Sequence, residues 1–69
     1  LSAQAIRVRI SPPTGASASE LFLRISDGRE IGIDDAFGAQ VELPRGRHSI
    51  ALMRRGSAEA LSVIHIRVR

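Results

Sequence analysis

The sequence predicts an all-β domain, a small two-sheet sandwich of about six or seven mainly antiparallel strands. Three observations predict it. Apolar and polar residues alternate with period two in several short runs. Gly, Pro and Asp-Gly interrupt the chain roughly every eight to twelve residues. No segment carries apolar residues at a convincing helical spacing.

Residues 5–10, Ala-Ile-Arg-Val-Arg-Ile, put Ile6, Val8 and Ile10 on one face and Arg7 and Arg9 on the other. Ser11-Pro12-Pro13-Thr14-Gly15 ends that strand, because proline removes ladder donors and Gly15 accepts positive φ. Residues 16–19 continue as a small-residue loop. Leu21, Leu23 and Ile25 then alternate with Phe22, Arg24 and Ser26 in a second strand. A helix over residues 19–25, capped by Ser19, is the competing reading. The Asp27-Gly28 pair that follows decides against it, since it signals a hairpin with a type I′ turn and positive φ at both central residues.

The returning strand covers residues 29–33, with Ile31 and Ile33 inward and Gly32 where another backbone is free to approach closely. Residues 34–38 read as a loop. Val41 and Leu43 alternate with Gln40 and Glu42 in a fourth short strand, closed by Pro44-Arg45-Gly46. Next, His48, Ile50, Leu52 and Arg54 share one face, with Arg47, Ser49, Ala51, Met53 and Arg55 on the other. After Arg55-Gly56-Ser57 the last strand places Ile64, Ile66 and Val68 inward and His65, Arg67 and Arg69 outward. Buried aliphatics at about 1.5–3 kcal/mol each make a minimal core, and Phe22 and Phe37 are the only aromatics available to it.

Sixty-nine residues make a single domain, 1–69. A chain this short buries only about 60% of the surface its unfolded form exposes, so support from a partner or neighbouring domain is expected. The chain opens on Leu1 and not on Met, which reads as a segment excised from a larger protein. Without cysteine it has no disulfide, thiolate metal site or thiol nucleophile. The net charge is +3 and every basic side chain is Arg. Two readings stand: codon bias of a GC-rich bacterial genome, or selection for a planar fork that suits carboxylate and phosphate. No run approaches about 18 apolar residues, so nothing in this segment spans a membrane as a helix.

Little in the chain suggests chemistry. Nucleophilic catalysis needs a nucleophile, a base and an orienting group that converge, and neither His48 nor His65 lies in an elbow or Gly-rich context. Neither a catalytic residue nor a cofactor is expected. Asp27, Glu30, Asp34 and Asp35 form an acidic cluster, but their spacing matches no calcium loop, and no metal site is expected. The arginines are more suggestive. If the first and last strands are neighbours, Arg7, Arg9, His65, Arg67 and Arg69 crowd one face, and like charges set opposite one another invite an anionic partner. The plain alternative is a solvated face paired with Glu20 or Glu42. Single-strand nucleic-acid binders stack bases on aromatics, and this chain has no Tyr or Trp.

Three stretches carry a family resemblance: Pro13-Thr14-Gly15-Ala16, Ser26-Asp27-Gly28-Arg29-Glu30-Ile31-Gly32, and Leu43-Pro44-Arg45-Gly46-Arg47-His48-Ser49-Ile50. In order and spacing they resemble the PEGA domain, a small bacterial β-sandwich module. The chain departs from that pattern in residues 17–20, in Ile33-Asp34-Asp35 and after Gly56. Other transthyretin-like or immunoglobulin-like sandwiches share much of the same turn grammar. The resemblance implies a non-enzymatic accessory domain of bacterial surface, envelope or signalling proteins, with an envelope or extracytoplasmic location.

The function expected from all this is a non-catalytic binding or spacer module. It would act through an edge strand or the arginine face, on a protein, a neighbouring domain, a second copy of itself or an anionic polymer. The alternative is a nucleic-acid-binding β domain that uses Arg7, Arg9, Arg67 and Arg69.

Overall fold

A computed structural model describes residues 4–69; Leu1, on which the excised-segment reading rests, lies outside them. The strands are β1 (Gln4–Arg9), β2 (Leu21–Ile25), β3 (Glu30–Gly32), β4 (Gly38–Leu43), β5 (Gly46–Arg54) and β6 (Ala60–Val68). They form two antiparallel sheets, one of β1 with β4 and one in the order β3-β2-β5-β6. This is the all-β, two-sheet sandwich the alternation predicts. The first and last strands are not neighbours, however: β1 pairs with β4 and β6 with β5, in different sheets.

The core lies where the small sheet covers the large one. Leu21, Leu23 and Ile25 of β2, Ala39, Val41 and Leu43 of β4, Ile50 and Leu52 of β5 and Val68 of β6 are buried together. Ile6 and Val8 of β1 and Ile10 just after it pack against this cluster but stay half-buried, as does Ile66. Ile64 departs from the expected pattern. It faces inward beside Ile50, yet is 45% exposed while Ile50 is 2% exposed. Alternation assigns a face to a side chain; burial requires something above that face, and at Ile64 an open cleft lies between it and Val8 and Ile10.

Two outward positions are buried for a different reason. Phe22 and Met53 sit opposite each other on the outer face of the large sheet. The Arg24 and Arg55 guanidinium carbons stand 5.8 and 5.4 Å from the centre of the Phe22 ring. Arginine side chains thus cover the Phe22 ring beside Met53 while their charged ends stay wet.

The turns differ from expectation in an instructive way. At the Asp27-Gly28 hairpin, the Gly28 amide donates to the Ile25 carbonyl (2.9 Å) and the Ile25 amide to the Arg29 carbonyl (2.8 Å), with positive φ at Gly28 only. This is a three-residue loop ending in a left-handed residue, in place of the expected type I′ turn. Asp27 stabilises it by accepting from the Arg29 amide and Nε. The link from β3 to β4 repeats the geometry. There the Phe37 amide donates to the Asp34 carbonyl and the Asp34 amide to the Gly38 carbonyl, both at 2.9 Å.

In this second loop the left-handed residue is Phe37, at φ 57. That conformation costs a non-glycine residue about 1–2 kcal/mol. It is held because the ring packs on the core and because Asp34 Oδ1 accepts from the amides of Ala36 (3.0 Å) and Gly38 (2.9 Å).

Three boundaries shift as well. The loop expected over residues 16–19 contains a 3₁₀ turn, Ala18–Glu20, where the Glu20 carboxylate accepts from the Ser17 amide at 3.1 Å. β3 is shorter than the run read from residues 29–33, and β6 starts well before Ile64, at Ala60.

Candidate functional site

Sorting the arginines by what they touch separates structural ones from free ones. Arg7 bonds Asp34 at 3.0 Å, Arg24 bonds Glu30 at 2.8 Å and Arg29 bonds Asp27 at 2.8 Å. Arg29 also donates to the Glu42 carbonyl, tying the first hairpin to β4. Arg55 donates to the Ser19 carbonyl, and the Arg54 Nε is buried with no partner among the described residues. The ion pairs among the described residues leave out Arg54 and Arg55 and, beyond these, Arg9, Arg45, Arg47, Arg67 and Arg69.

The predicted arginine face is therefore divided. Arg7 and Arg9 stand on β1 in the small sheet, with Arg7 neutralised by Asp34. His65 and Arg67 stand on β6 in the large sheet, and Arg69 follows it. Their neighbour is a residue that the sequence analysis left unmarked: Arg47 of β5 lies directly opposite Arg67, and Ser49 directly opposite His65. Ser26, His48 and Ile66 complete an open depression of about 630 Å³ with these four residues. The Ser26 hydroxyl accepts from the Ser49 amide at 3.2 Å, and the Ser26 amide donates to the Ser49 carbonyl at 2.9 Å. Arg45 and Arg69 line an adjoining groove with Arg67. Only the β5–β6 register could have revealed Arg47, because no local pattern links positions so far apart in the chain.

The acidic cluster does not converge. Asp27 serves its own turn, Glu30 pairs with Arg24, and Asp34 serves the second loop and Arg7. Hydrogen bonds hold three carboxyls below the usual carboxylate range. For Asp34 the Gly38 amide contributes most and the Arg7 hydrogen bond next; for Asp27 it is the Arg29 amide, and for Glu20 the Ser17 amide. Among the described residues no three His, Cys, Asp or Glu side chains are grouped so as to hold a metal ion. His48 is engaged by the backbone, its Nε2 lying 2.8 Å from the Pro44 carbonyl. No helix among the described residues is long and apolar enough to cross a membrane.

The second feature is the free edge of β6. This nine-residue strand pairs with β5 on one side and has no strand on the other among the described residues. It contains no proline, and Leu61, Val63 and Ile64 are 44%, 49% and 45% exposed. Beside it a cleft of about 160 Å³ opens between the sheets, lined by Val8, Ile10, Leu23, Ile50, Leu52 and Ile64. A long apolar edge of this kind, interrupted by one bulge at Leu61, offers unpaired backbone donors and acceptors to an extended chain.

Comparison of the chain with family models, curated proteins and solved structures gives no match.

Proposed function

We propose that this domain is a non-catalytic binding module that takes an extended segment of another protein along the open edge of β6. The observation that carries the reading is that edge itself: nine residues, unpaired on one side among the described residues, proline-free, with three large aliphatics exposed. A segment adding to β6 would satisfy its outward amides and carbonyls. Its alternate side chains would lie beside Ile64 at the mouth of the inter-sheet cleft.

Charge sets the chemistry of the occupant. β6 carries His65 and Arg67 toward its end and no acidic residue, so the fitting segment is apolar at alternate positions and acidic where it passes Arg67. An accessory role in a larger bacterial envelope or signalling protein agrees with the PEGA-like turn motifs.

The test is an amide NMR titration with ten-residue peptides of alternating apolar and polar residues, with scrambled peptides as controls. Shifts and slowed exchange concentrated in residues 60–68, lost in Ile64→Lys, are the expected result. Peptides that leave β6 unperturbed, or that bind Ile64→Lys equally well, would overturn the reading. Concentration-dependent dimerisation through β6 without peptide binding would replace the foreign segment with a second copy.

A further inference from the structure

We infer that the depression on the β5–β6 pair, which shares Arg67 with the β6 edge, is an oxyanion site for a terminal phosphate group. Arg47 and Arg67 are directly opposite on adjacent strands. Side chains so placed have Cβ atoms about 4.5–5.5 Å apart, and like charges there repel. Neither has a carboxylate partner among the described residues, and Arg45 and Arg69 add to the same positive field from the adjoining groove. The pairing is unfavourable as it stands and becomes favourable once an anion lies between the two forks.

The other residues of the depression add hydrogen-bond donors for an anion. Ser26 and Ser49 are short, while Arg47, Arg67 and His65 around them are long. The Ser26 hydroxyl accepts from the Ser49 amide and so keeps its own hydrogen for a ligand oxygen. The nearest acidic neighbour in sequence, Asp27, is turned to the Arg29 amide and Nε. Two planar forks, two hydroxyls and His65 thus share one depression, and a doubly charged phosphate is the ligand class that satisfies a facing guanidinium pair. A nucleic-acid strand would also want a stacking surface, and no Phe, Tyr or Trp ring lines the depression.

The experiment titrates the whole chain with inorganic phosphate, O-phosphoserine and an oligodeoxythymidylate at low ionic strength, followed by amide NMR. Saturable shifts centred on residues 26, 47, 49, 65 and 67 are expected with the first two probes. Arg47→Gln and Arg67→Gln should each weaken binding about tenfold or more. Arg67→Lys should weaken it measurably while keeping the charge, because the fork is lost. Arg9→Gln, on the other sheet, should leave affinity within about twofold. Equal losses in Arg9→Gln and Arg67→Gln would reduce the effect to general charge and overturn the site. So would tighter binding of the oligonucleotide than of O-phosphoserine at matched ionic strength. Folding of each variant is checked from its amide spectrum, and peptide binding at β6 persists in Arg47→Gln if the edge and the face act independently.

Discussion

The large sheet has two edges, and they are built on opposite plans. β3 is three residues long, carries Glu30 and Gly32, and is flanked by turns in which Asp27 and Asp34 bind backbone amides. Arg29, just before it, reaches over to the Glu42 carbonyl of the facing sheet. β6 is nine residues long, exposes Leu61, Val63 and Ile64, and has no strand on its outer edge among the described residues. Short length, charge and cover are the usual ways to stop an edge from pairing. The contrast shows that the fold can close an edge, which makes the open one meaningful.

The sharpest probe of this contrast is the Ile50–Ile64 pair, the same residue on the same face of adjacent strands. In urea unfolding, Ile50→Ala is expected to lose about 2–5 kcal/mol, the range for a buried aliphatic cut to Ala. Ile64→Ala should lose less than about 1 kcal/mol, since it is already half in water. Losses of equal size would mean that β6 is covered in solution, and the open-edge account would fail.

A smaller effect is expected at the closed edge. A Cβ on Gly32 meets nothing within 4 Å, and its φ is not positive. Gly32→Ala should therefore raise stability by about 0.4–1 kcal/mol, mainly by restricting the unfolded chain. Destabilisation in a thermal melt would show that the edge needs the glycine.

The least effect comes from acid. Because hydrogen bonds depress the carboxyls of Asp27 and Asp34 in the folded state, their stabilising contribution is complete above the ordinary carboxylate range. It fades as pH falls from about 4 toward their lowered values. Amide exchange at decreasing pH should loosen β3 and its two turns while β6 amides paired to β5 hold. Loosening of β6 first would reverse the comparison.

What was legible in the sequence follows the same division. Period-two alternation marks faces, so Leu21, Leu23, Ile25, Val41, Leu43, Ile50 and Leu52 were placed inward and are buried. It is silent on cover, and so could not distinguish Ile64 from Ile50. Nor could it foresee Phe22 and Met53, outward in parity but buried, with arginine side chains over the Phe22 ring. Asp27-Gly28 announced a hairpin, yet two- and three-residue loops share that dipeptide, and only the hydrogen bonds of Ile25 separate them. The basic site was half seen: His65 and Arg67 stood out on their strand, while Arg47, Ser49 and Ser26 join them through long-range register.

The lengths of the connections also impose an order of assembly. β5 and β6 are joined by residues 55–59, whereas residues 10–37 separate β1 from β4. Closing a short loop loses less chain entropy than closing a long one, and local pairings form sooner. The ribbon that displays both the open border and the guanidinium pair thus assembles early, and the lid arrives last. Pulse-labelled exchange that protects β1 before β6 would contradict this sequence of events.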